Sequence, residues 1–237
     1  MKAFINWHIF TQTGLDSGSL TMLGAVIHKF PESGEYMGTI LRENKDVGSF
    51  RLSVDKDCPA MQVDIDLAAL YRSARERNRC ESSGRFVVNP NGYVVFYVSH
   101  GPGGYAVTVG TIGEKGEAKQ LFDSRKLRQG DMFAVTMIRP GIYSVTNVNT
   151  GAKGEIVVAY PKVGKVAYRP PNPASIECTE KAFTPDKIKI EPAQGQVYVF
   201  KTLSRIKIAL IKADEGPSEK RRQKISGQKK KVTSQRG

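Results

Sequence analysis

Three cysteines, three histidines and one tryptophan are all the thiols, imidazoles and indoles in 237 residues. Cys58, Cys80 and Cys178 are odd in number and far apart, with no CxxC, so neither a disulfide framework nor a zinc site is indicated. A reducing cytoplasm is the simplest compartment; one bridge plus a free thiol outside the cell is the alternative. His8, His28 and His100 stand in no i, i+2 or i, i+4 relation to one another or to Cys58, which favours isolated side chains over a metal centre, and no cofactor is expected. No apolar run reaches the roughly 18 residues of a membrane-spanning helix. The opening MKAFINWHIFTQTG has a lysine and a short apolar patch, but Asn6, Trp7 and His8 interrupt it and no small-residue cleavage site follows, so no signal peptide is read. There is no GxSxG, HExxH, P-loop or strand-following GxGxxG. With so few histidines, catalysis is not expected. The His100-Gly-Pro-Gly-Gly104 loop lacks phosphate-loop spacing and reads as a turn.

What is present is a strand pattern. Gly130–Tyr160 holds two apolar-rich runs, Met132–Ile138 and Tyr143–Val148, a Pro140-Gly141 turn, a polar loop and a closing run Glu155–Tyr160. Val, Ile, Tyr and Thr fill the runs and Gly, Pro and Asn separate them, which predicts three antiparallel strands. Further strands are expected at Phe4–Phe10, Leu20–His28, Glu35–Leu41, Val47–Val54, Tyr105–Ile112, Ala118–Phe122, Lys187–Glu191, Gln196–Leu203 and Ile206–Ile211, and a short run, Met61–Ile65, leads into a helix. Arg85–Val88 and Tyr93–Ser99, around Pro90-Asn91-Gly92, give the best local hairpin signal. One helix is predicted from about Asp66 to Arg79. Asp64 or Asp66 can cap it, and Leu67, Leu70, Tyr71 and Ala74 share a face.

These elements describe a mainly β protein, antiparallel and sandwich-like, with one short helix. Its parts are residues 1–80 (hairpins plus helix), 81–160 (sandwich core), 161–175 (a Pro-rich arm), 176–214 (added strands packing on the sandwich) and 215–237 (a basic tail expected to be disordered). An internal echo links residues 30–54 and 138–158. In each, a proline precedes Gly-x-Tyr, then come a strand, a polar loop and a glycine opening an alternating strand. A duplication explains it, and so do shared turn and burial demands on edge hairpins.

The stretch PGIYSVTNVNTGAKGEIVV resembles the closing strands of a cupredoxin, and FTPDKIKIEPAQGQVYVF resembles that family's opening strands. The resemblance implies a β-sandwich of cupredoxin or immunoglobulin type. It does not imply copper, because the loop that should carry Cys, His and Met ligands carries Asn147, Asn149 and Lys153.

Charge is the strongest signal not explained by folding. The formal net charge is +13, and residues 215–237 hold eight Lys and Arg against two Glu. Lys220, Arg221, Arg222 and Lys224 form one cluster, Lys229, Lys230 and Lys231 a second, with Arg236 beyond. Such a segment neutralises phosphates or an acidic partner without fixed structure, and having no aromatics it does not stack bases. Arg72, Arg75, Arg77 and Arg79 form a secondary basic face that also suits a helix C-terminus. Asp55/Asp57 and Asp64/Asp66 at i, i+2 read as strand-end and capping residues. The expected function is a non-catalytic accessory subunit that docks into a protein assembly, a homo- or hetero-oligomer, through the arm and tail. The alternative is a nucleic-acid- or polyanion-associated protein, and below that a divergent metal or redox cupredoxin.

Overall fold

The computed structural model describes residue 9 and residues 11–76, 84–112, 118–159 and 171–214, which form seventeen strands, one full helix and the turns between them. In chain order the elements are β1 (Gly14–Asp16), β2 (Gly24–His28), β3 (Gly34–Arg42), β4 (Lys45–Val54), β5 (Gln62–Asp66), helix α1 (Leu67–Glu76), β6 (Arg85–Val88), β7 (Tyr93–Tyr97), β8 (Tyr105–Ile112) and β9 (Ala118–Asp123). There follow β10 (Met132–Thr136), β11 (Gly141–Asn147), β12 (Lys153–Val158), β13 (Ala174–Cys178), β14 (Phe183–Thr184), β15 (Lys187–Ile190), β16 (Gly195–Phe200) and β17 (Ile206–Ala213). They make one seven-stranded sheet, β14-β13-β16-β10-β2-β7-β5, and two five-stranded sheets, β6-β4-β3-β8-β9 and β1-β17-β11-β12-β15. The protein is thus mainly β, as its alternating pattern predicts.

Local chemistry explains several elements. The β3–β4 hairpin turns at Glu43 and Asn44, whose φ values of 52° and 60° are the pair that a tight two-residue turn requires. Helix α1 begins where Asp66 Oδ1 accepts the N–H groups of Ala68 and Ala69, which settles the cap between the two aspartates. Two expectations need correction. β6 and β7 do not pair with each other: β6 runs parallel to β4, whereas β7 joins β2 and β5 in the seven-stranded sheet. Asn89 ends β6 by donating to the carbonyls of Lys56 and Cys58, and the Pro90–Gly92 turn carries the chain between sheets. Likewise β10 is not the first strand of a meander with β11 and β12, since it pairs with β2 and β16. The predicted strand at Phe4–Phe10 lies outside the described residues apart from Ile9, as does most of the arm. The strands β1, β13 and β14 were not foreseen.

The echo extends much further than two hairpins. LDSGSL at 15–20 matches FDSRKL at 122–127 with the same shift, 107 residues, that relates Tyr36 to Tyr143. Each tyrosine donates its hydroxyl to the carbonyl four residues upstream, Glu32 at 2.6 Å and Arg139 at 2.8 Å. Gly34 and Gly141, also equivalent, have φ of 156° and 155°. Pairing repeats as well: β4 lies parallel to β6 as β12 does to β15, and β5 parallel to β7 as β13 does to β16. In the β2–β10 ladder the shift maps the pair Val26–Phe133 onto itself and exchanges Ala25–Ala134 with Ile27–Met132. The hydrogen-bond register of the chain is therefore two-fold symmetric about Val26 and Phe133.

The symmetry is closed by exchange. β1, at the start of the first repeat, pairs with β17 at the end of the second, and β9, at the start of the second, pairs with β8 at the end of the first. Equivalent serines complete the crossings: Ser17 Oγ accepts the Ile206 N–H and Ser124 Oγ accepts the Val107 N–H, each at 3.0 Å. Between the sheets lies one continuous core. Phe96 of the central sheet packs against Phe50 and Phe122, while Tyr198 meets Phe133 and Phe183.

Candidate polyanion interface

The outer face of β1-β17-β11-β12-β15 follows from strand parity. Tyr143, Val145, Ile156, Ile190 and Ile208 point into the core, so their neighbours point out. The registers then place the outward residues in rows. Lys207, Thr146 and Lys153 form one row, Ala209, Ser144, Glu155 and Lys187 the next, and Lys212, Ile142, Val157 and Lys189 the third. Five lysines thus share a face with Glu155 as the acidic residue among them. Adjacent strands are about 4.8 Å apart, so the lysines of β17 and β15 stand roughly 14 Å apart across the sheet. Asp16 borders this face and is engaged: it takes both Arg205 Nε and Nη2 at 2.9 Å, with Lys207 Nζ at 4.0 Å. No other ion pair involves these lysines among the described residues. Among the described residues the face contains no aromatic side chain.

Asp16 and its equivalent Asp123 hold the crossings together, and each has its own arginine. Asp123 is gripped by Arg125 through Nε and Nη2, both at 2.9 Å. Burial by itself would push the Asp123 carboxyl up, but hydrogen bonds from the Arg125 side chain and backbone outweigh it and hold the carboxyl below its usual range. The two arginines come from different places in the repeat. Arg125 is equivalent to Gly18, and Arg205 is equivalent to Ala106. A side chain at Gly18 would start 2.6 Å from Arg205 Nε, so the arginine fits only because that position is empty.

The sequence-predicted residues fall as follows. Arg72 and Arg75 are exposed on α1, whereas Arg77, Arg79 and all the tail residues from Lys220 to Arg236 lie outside the described residues. The tail nevertheless follows directly on Asp214, one residue past β17, a strand of the lysine face. Asp66 is saturated: besides capping α1 it accepts the Ser99 N–H, and Ser99 Oγ bonds both its Oδ2 and, at 2.7 Å, His100 Nδ1. The order is Asp–Ser–His, so no carboxylate orients the imidazole as a base needs. Asp64 instead accepts the Gln62 amide. No group of three or more His, Cys, Asp or Glu among the described residues is placed to hold a metal. Asn147, in the loop where a cupredoxin would have ligands, is fully buried and hydrogen-bonded to Ser204 Oγ and the Arg205 and Asn149 N–H groups. Sequence reading missed the lysine face because its members come from three strands up to 59 positions apart.

The fold and this face define a mainly β protein with a basic, non-aromatic sheet surface. Compared with known proteins, the chain matches no family model, no curated protein and no solved structure. No helix among the described residues is long and apolar enough to cross a membrane.

Proposed function

We propose that this is a non-catalytic polyanion-binding protein that contacts nucleic-acid phosphates through Lys153, Lys187, Lys189, Lys207, Lys212 and the tail. The observation that carries the reading is the continuity of the two basic elements: the strand that contributes Lys207 and Lys212 leads into the segment with eight Lys and Arg. A sheet face of lysines without aromatics favours backbone contact over base stacking, and so a duplex without sequence preference. Each repeat is read as a β-sandwich of the cupredoxin or immunoglobulin kind, serving as a scaffold without a metal. Full-length protein binding a labelled 20-base-pair duplex, followed by fluorescence anisotropy, tests this. Replacing all five lysines by Gln is expected to weaken binding about a hundredfold at moderate salt while leaving the melting temperature unchanged. Unaltered affinity contradicts it.

A protein-docking role is the second reading, favoured by the outer face of the seven-stranded sheet. There Ile27, Val95, Met132, Val199, Ala25, Ala134 and Val197 form two half-buried apolar rows across β7, β2, β10 and β16. An accessory subunit would cover such a face in its assembly.

A further inference from the structure

The central sheet carries a polar pair where its symmetry mate has none. His28 and Asp131 face each other across β2 and the start of β10, with His28 Nδ1 2.5 Å from Asp131 Oδ1. When the repeats are exchanged, their equivalents are Val135 and Gly24. A pocket beside β1, lined by Ile9, Gln12, Leu15, Leu23 and Met137, leaves only about 20 Å³. The mouth at His28 and Asp131 is a cavity of about 360 Å³ lined by His28, Phe122, Lys126, Arg128, Gln129 and Asp131, among others.

The electrostatics of this cavity favour an anion. Asp131 is buried and both its oxygens are engaged, Oδ1 by His28 and Oδ2 by the Arg128 N–H at 2.7 Å. Asp123 is neutralised by Arg125 and accepts the Gln120 amide. Lys126 and Arg128 also line the cavity, and both are exposed and form no ion pair among the described residues. His28 is clamped between Phe30 and Phe122, with ring centroids 4.4 Å and 4.5 Å away, and the tie from Nδ1 to Asp131 fixes the orientation of the imidazole. Phe122 and the partly exposed Leu121 supply an apolar wall.

We propose that this mouth binds a phosphate monoester, with the phosphoryl dianion between Lys126, Arg128 and the His28 ring and the organic body against Phe122 and Leu121. Two cations match the two charges. The space exceeds that of a bare ion and lies within the usual range for small-molecule sites, about 300–1,000 Å³. The site lies where His28 of the first repeat meets residues 120–131 at the start of the second, shares no residue with the lysine face and does not depend on it.

The test is a titration of full-length protein with phenyl phosphate, read by calorimetry and by the ring-proton resonances of His28. Saturable one-to-one binding that shifts the His28 resonances is expected, with phenol giving neither signal. Lys126→Gln and Arg128→Gln are each expected to weaken binding about tenfold without lowering the melting temperature or the duplex affinity. Absence of saturation, or variants that bind as the parent does, overturns the proposal. The five-lysine variant should keep its phenyl phosphate affinity, so the two sites succeed or fail separately.

Discussion

At the scale of single residues, the two repeats meet one demand by different means. Each crossing needs a guanidinium on its aspartate, supplied from Gly18's position in one repeat and from Ala106's in the other. Arg205→Ala should therefore cost about 1–2 kcal/mol by leaving Asp16 without its bidentate partner. Gly18→Arg alone should also destabilise, because it collides with Arg205. The double variant, with Arg at 18 and Ala at 205, should recover most of the loss; chemical denaturation measures this coupling, and purely additive losses would refute the equivalence. Asp123 also makes a pH prediction. Its carboxyl is held below the usual value in the fold, so the stabilisation is present above the unfolded value and disappears as pH falls through the lowered one. Asp123→Asn should lower stability at neutral pH and flatten the loss below about pH 4, where the unfolded carboxyl titrates. An acid limb as steep as the parent's would contradict the assignment.

Among the elements, what was legible in the sequence was whatever local chemistry fixes. The β3–β4 hairpin could be read because its turn and its alternation sit side by side in the chain, and the helix because Asp66 precedes an apolar face. Pro90-Asn91-Gly92 signals a reversal equally well, but a turn does not determine whether the strands on either side pair or enter different sheets. That choice is made by β4 and β2, some 30 to 70 residues away, and no local pattern carries it. The strands β1 and β14 have three and two residues, too few for alternation to show. The six-residue match between 15–20 and 122–127 was legible and would have strengthened the duplication, whereas the His28–Asp131 cavity joins residues 103 apart and was not. A sharper consequence of pairing concerns Gly38, which lies opposite Phe50 in the β3–β4 ladder. A methyl group there would sit 2.0 Å from the buried Phe50 ring, so Gly38→Ala should destabilise by about 1–3 kcal/mol. A thermal melt identical to the parent's would show that the ring can move aside.

For the whole molecule, an internal repeat supplies the frame and the differences between its halves supply the candidate sites. Two repeats with exchanged first strands make a single core, so neither repeat closes its five-stranded sheet without the other. On that frame the outer faces are free to differ. The second repeat turns five lysines outward beside the tail, and a cavity opens where His28 of the first repeat meets residues 120–131 of the second. Overall charge was visible in composition, but which lysines share a surface depends on three strand registers and emerges only from the fold. The measurement that bears most directly on the polyanion account is the salt dependence of duplex binding for the full chain and for the five-lysine variant. A straight log–log fall is expected for the parent, with the variant's slope shallower by about 0.9 for each lysine that contacts a phosphate. Equal slopes would mean that the lysine face does not touch the nucleic acid, and would contradict the account.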